Sequence, residues 1–315
     1  MASAPARGTN ADPHATARAR AAAQWSTQSA SILESRGDPA SLATAALLLK
    51  SFNPTSADAG QHAVALAQAA TQAAPADPAI GWIRLRVCET TPGCDVPEAA
   101  TSVRWLDAEN AAAWLSTLEH AQRDRDSNAT ERALSGMAQG KRFHFYWNPG
   151  ITLINDSVRT AALPARPGSS TAPYARLLDI VGWAAGLLPA NLQSLFDACK
   201  ETADFAARRD HCLKIAMVLQ TADTVIAQLA GYSLLHRLSA PESKESRNAL
   251  ERRRVLEWRV AQSGKFDSAF LPWSRSRLAQ HRFDLMRRFE REEDCIDAIL
   301  SEHHIALDPG PVKAH

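Results

Sequence analysis

Apolar residues recur at offsets of three, four and seven along almost the whole chain, and no run alternates convincingly at period two, so the pattern predicts helices and no sheet. The spacing places helices at about 14–35, 39–52, 57–74, 78–89, 97–106, 110–123, 128–140, 149–162, 174–188, 190–200, 205–220, 222–239, 242–263 and 272–303, the last broken near Glu290. Start signals support the spacing. Asp38-Pro39 and Asp77-Pro78 each put an N-cap before a first-turn proline, and Asn128 to Glu131 has capping-box spacing.

Short capped connections imply antiparallel neighbours, and the predicted fold class is all-α: antiparallel helical hairpins stacked as an α-solenoid. One segment lacks any apolar period. Pro164 to Pro173 carries three prolines and reads as a linker or long loop between an N-terminal half, 14–163, and a C-terminal half, 174–308. Residues 1–13 and 309–315 are expected to be disordered.

An internal repeat is visible. The segments ending at Trp82 (APADPAIGW) and at Trp114 (LDAENAAAW) both place a helix-start signal four residues before a Trp that opens an apolar stripe, 32 residues apart. Over about residues 57–140 the chain resembles a divergent tetratricopeptide-like repeat, without that family's Leu-Gly and Tyr after the Trp. LDAENAAAWL (Leu106 to Leu115), followed by a cysteine-linked hairpin, is similar to uncharacterised periplasmic helical proteins of proteobacteria. That resemblance implies a location and a fold, and no activity.

Charge narrows the partner classes. Lys plus Arg number 35 against 34 for Asp plus Glu, so the molecule has no overall field to draw nucleic acid or an anionic membrane. The longest uncharged apolar run, Ile180 to Ala190, has 11 residues where a membrane span needs about 20. The first twenty residues have no apolar core of the secretory type, so either the chain is cytosolic or a signal preceded Met1. The cysteines favour the second.

Cys88 and Cys94 bracket a Pro92-Gly93 reversal that brings two thiols within bonding reach. Cys199 closes the stripe Leu192, Leu195, Phe196, and Cys212 opens the stripe Ile215, Ala216, Leu219, so each faces its own helix's core. Continuous helix would hold those two sulfurs about 20 Å apart. A turn at Lys200 to Asp204, with Asp204 as N-cap, lets them staple a hairpin. Both pairings are expected, which implies an oxidising compartment, periplasmic or secreted, with Cys295 left as a buried thiol; the alternative is five small buried thiols in a cytosolic protein.

Candidate chemistry is sparse. There is no Gly-rich phosphate loop, G-x-S-x-G elbow or H-E-x-x-H, and Glu302-His303-His304 reads as a solvated helix end rather than a metal site. No cofactor is expected. The aromatic run Phe143, Phe145, Tyr146 and Trp147 sits in a connection and is a candidate partner-binding patch, or else the seal between two helical layers. Between Pro241 and Glu290 twelve basic residues face seven acids, and Arg252, Arg253 and Trp258 are the second candidate surface, against the alternative of an ordinary solvated face. The expected function is a non-enzymatic protein-interaction module, of inhibitor or immunity type in its narrower form. The alternative is an enzyme or small-molecule binder with a pocket between helical layers, near Trp147 or Trp258.

Overall fold

The computed structural model describes residues 13–167, 173–200, 205–269 and 272–310. Half of the Pro164–Pro173 connection (168–172), the chain ends and the expected N-cap Asp204 lie outside them. The described residues form fifteen α-helices and no strand: α1 Pro13–Arg36, α2 Pro39–Phe52, α3 Ala57–Ala73, α4 Pro78–Glu89, α5 Val96–Leu106, α6 Leu115–Arg123, α7 Ser127–Gln139, α8 Trp147–Thr160, α9 Pro173–Leu187, α10 Gln193–Ala198, α11 Phe205–Leu219, α12 Val225–Leu238, α13 Lys244–Ala269, α14 Pro272–Arg288 and α15 Glu292–Glu302. A 3-10 turn, Ala111–Trp114, leads into α6.

Local chemistry explains the starts. Asp38 accepts from the Ser41 amide at 2.9 Å, and Asp77 accepts from Ala79 at 2.9 Å and Ile80 at 3.2 Å, each ahead of a first-turn proline. At α7 the expected capping box is displaced. Asp126, in extended conformation, caps the Ala129 amide at 2.9 Å, which leaves Asn128 already inside the first turn.

Sequential helices pair as hairpins, but the packing extends beyond nearest neighbours. Helix α2 touches α1, α3, α4, α8 and α9, α7 touches α11, and α6 touches α10. The cause is legible in α2 itself: PASLATAALLLKSF is apolar on every side, and Ser41 through Lys50 are all buried. One core runs from Trp25 to Phe283, and a smaller cluster of Leu285, Cys295 and Ile299 lies beneath the break between α14 and α15.

Side chains of α4 hold the end of α9. The last carbonyls of a helix have no partner within it. Those at the end of α9 are taken by α4 side chains: the Trp82 indole donates to Leu188 O at 2.8 Å, and the Arg86 guanidinium donates to Leu187 O at 2.8 Å and Pro189 O at 3.2 Å. Burial pulls the Arg86 guanidinium down to about 10, still charged at neutral pH, and Glu89 pairs with it.

Cys88–Cys94 and Cys199–Cys212 are disulfides with Cα separations of 5.3 and 5.8 Å, and Cys295 is a buried free thiol. Gly93, with φ of +79°, supplies the reversal inside the first loop. Both pairs are compatible with an oxidising compartment. Replacing Cys199 and Cys212 with serine is expected to lower stability by about 3 kcal/mol, from the loop closed across 13 positions of sequence separation. Urea unfolding of the double variant checks this, and a midpoint equal to that of the parent would remove the staple from the account.

Candidate functional site

The chain from Gly140 to Phe145 crosses the connection between α5 and the 3-10 turn, with Arg142 bridged to Asn110 in extended conformation. Lys141 N donates to Glu109 O at 2.8 Å, and Ala111 N donates to Arg142 O at 2.8 Å. Asn110 then grips the next residue but one as a strand neighbour would. Its side-chain oxygen accepts from His144 N at 2.9 Å, and its amide donates to His144 O at 2.9 Å and to the Tyr146 hydroxyl at 3.2 Å. The same oxygen caps Ala112 N at 3.1 Å.

Tyr146 sits in the left-handed region, with φ of +54°. A side chain at that φ is strained and persists only where its surroundings hold it. Here the hold comes from Asp223, between α11 and α12. Its two carboxyl oxygens accept from Phe145 N and Trp147 N, each at 2.9 Å, on either side of the left-handed residue. Asp223 thereby supplies the N-terminal cap that α8 lacks from its own sequence, and its own amide donates to Phe143 O at 3.2 Å. Burial pushes the Asp223 carboxyl up to about 7, the two amides pull it back, and nearby Glu292 pushes it further up.

A cleft of about 690 Å³ opens over this joint, walled by the α3–α4 corner (Ala74 to Ala79) and by Asp107, Arg142, His144, Tyr146, Pro149, Asp223 and Glu290. The Asp107 side chain is almost fully buried. It accepts from the Tyr146 hydroxyl and from the Arg142 guanidinium, which reaches both carboxyl oxygens, the Nε at 3.1 Å. Burial, and then the bond to Asp107, push the Tyr146 phenol far up, so it stays protonated and donates. Burial pulls His144 below its usual value, so its ring is neutral at pH 7. Glu290 is exposed at the rim and, among the described residues, makes no hydrogen bond or ion pair.

The first candidate surface is therefore an internal one. Phe143 and Phe145 are fully buried, and Tyr146 and Trp147 are 7% and 8% exposed, so these rings do not form a docking patch. They seal the joint between layers: Phe143 meets Phe145 edge to face at 5.5 Å, and Phe145 and Tyr146 pack against Trp82 at 5.7 and 6.1 Å. Their amphipathic run is continuous with the core, which is the physical reason they turn inward. Of these four residues only Tyr146 also lines the cleft.

Arg252, Arg253 and Trp258 lie on α13, apart from the cleft. Arg252 is exposed, Arg253 pairs with Glu257 at 2.7 Å and donates to Ser233 at 3.1 Å, and Trp258 is half-buried. Arg254 pairs with Glu251 and Arg259 with Glu293 and Asp297, so acids are interleaved across the basic segment. Among the described residues no helix is long and apolar enough to cross a membrane.

The sequence pattern did not single out Asp77, Asp107, Asn110, Asp223 or Glu290 as site residues. Asp107 and Asn110 sit inside LDAENAAAW, where their polarity next to three alanines was the available signal. Comparison with protein-family models, curated proteins and solved structures finds no match to this chain.

Proposed function

We propose that this chain is a non-enzymatic interaction protein of an oxidising compartment, and that it recognises a basic side chain of a protein or peptide partner in the cleft. The observation that carries the reading is the charge of the cleft. Its one arginine, Arg142, is committed to Asp107, its histidine is neutral, Glu290 lines it with no ion pair among the described residues, and Asp77 lines it while capping α4, likewise with no cation paired to it among the described residues. A lysine or arginine entering there meets a net negative, partly desolvated wall, where a charge-assisted hydrogen bond is stronger than in water. The buried acids support recognition over proton transfer, because Asp107 and Asp223 already hold two partners apiece.

The test is amide-resolved NMR of the labelled protein with a pentapeptide carrying one central arginine, against the same peptide with glutamate. Shifts around Ala79, His144 and Glu290 are expected with arginine alone, and Glu290→Lys should weaken them about tenfold. Equal shifts with glutamate, or indifference to the variant, would discard the reading.

A second reading has its own support. The cleft volume falls within the range of small-molecule sites, and the neutral His144 ring, stacked edge to face on Tyr146 at 6.4 Å, could orient a polar ligand. Native mass spectrometry of the purified protein, looking for a co-purifying small molecule, separates the two.

A further inference from the structure

A second groove, of about 450 Å³, lies on the other side of Pro75, which lines both concavities. Thr71, Gln72, Gly81, Arg84, Ser102, Trp105 and Leu106 complete it. Trp105 is 84% exposed, the most exposed large apolar side chain among the described residues. A lone exposed ring is ordinary on a protein surface; here it stands at the edge of a groove, and Trp leads the residues on which partners anchor.

The groove's chemistry selects what it takes. Arg84 is neutralised by Glu98, which also holds Ser102 at 3.0 Å, so the groove offers no free charge. Pro75, Leu106 and the Trp105 ring make it apolar. Gly81 lines the groove with backbone alone, and a Cβ there would displace the Leu106 side chain, whose Cδ1 lies at 2.7 Å. The Gln72 amide, exposed and with no hydrogen bond among the described residues, presents a donor and an acceptor together. That is the complement of one peptide unit of an extended chain.

We infer that the partner is an extended peptide segment running from the cleft over Pro75 into this groove, with a basic residue at Glu290 and Asp77 and an aromatic residue stacked on Trp105. The inference rests on the cleft reading and adds the second anchor and its order in space. One anchor is charged and one is apolar, so a segment carrying both is distinguished from the many that carry either alone.

The experiment is fluorescence anisotropy with labelled peptides holding one arginine and one tryptophan, in both orders and separated by one, two or three alanines. Each peptide is paired with its tryptophan-to-alanine form and titrated against the parent protein, Trp105→Ala and Glu290→Lys. At least one spacing is expected to bind, to lose about 30-fold on removal of the peptide tryptophan, and to lose about the same with Trp105→Ala, with little further loss when both are removed. Trp105 is exposed, so its variant keeps the fold, and circular dichroism verifies that. If peptides bind and Glu290→Lys weakens them while Trp105→Ala and the peptide tryptophan have no effect, the groove assignment is overturned and the cleft reading stands. If the peptide tryptophan matters and Trp105→Ala does not, the aromatic anchor lies elsewhere and the inference fails. If no spacing binds, both fall.

Discussion

Replacing Asp223 with alanine is expected to lower the unfolding free energy by about 4 kcal/mol at pH 5 and by far less at pH 8. At pH 5 the parent carboxyl is protonated and still accepts from Phe145 N and Trp147 N. Truncation leaves two buried amides without partners, at about 1–3 kcal/mol each, and a cavity beside the left-handed Tyr146. The pH dependence follows from the sign of the shift. The folded value, about 7, lies above the ordinary 3.8, so between them the folded protein holds a proton that the unfolded chain has released. Stability from this group is therefore present below about pH 4, declines as pH rises to about 7, and levels off above, at about 1.4 kcal/mol per pH unit over that window. The ionised parent thus approaches the alanine variant. Urea titrations at both pH values read the gap, and a gap independent of pH would show that Asp223 stays charged throughout. Asp223→Asn should flatten the parent's decline between pH 4 and 7.

The second large effect is expected at Asn110. Its side chain answers four groups: the amides of His144 and Ala112, the carbonyl of His144 and the hydroxyl of Tyr146. Alanine would strand three backbone groups at once, Ala112 N buried and the two of His144 partly so, a loss of about 4 kcal/mol. It would also release the extended segment that places Arg142 and Tyr146 against Asp107, so the cleft wall should loosen with the fold. Thermal unfolding should show a fall in Tm on the order of 8 °C. Hydrogen exchange at His144 should rise by a larger factor than at α2, whose amides do not depend on this joint. A Tm within a degree or so of the parent's would mean that the backbone joint survives on its own contacts.

Most helix positions were legible because they are written locally. Asp38, Asp77 and their prolines mark starts within one turn, the apolar period marks the length, and the break near Glu290 appears at Phe289 to Arg291. The two disulfides were legible for the same reason, since each closes a short segment. Tyr146 shows the limit. Nothing in Phe143 to Trp147 announces a left-handed residue, because the group that enforces it, Asp223, is 76 positions downstream of Trp147. The burial of those rings likewise depends on Trp82 arriving from α4. The side-by-side stacking expected of a solenoid is crossed by the contacts of α2 with α8 and α9, which follow from how completely α2 is apolar. Trp105 is illegible for the opposite reason: it lies beside the buried stripe of α5, where periodicity alone does not distinguish a rim from a core.

The capping of α9 by Trp82 and Arg86 has a consequence for the order in which the chain can become native. The donors lie 101 to 106 positions before their acceptors. The hairpins α1–α2, α2–α3 and α3–α4 need only local closure, on the microsecond scale. Their final locking must wait until the end of α9 exists. At a synthesis rate of about 5–20 residues per second, the indole of Trp82 and the guanidinium of Arg86 stand without their partners for roughly 5–20 seconds. The last contacts that fix Trp82 and Arg86 thus come from a segment made well after them.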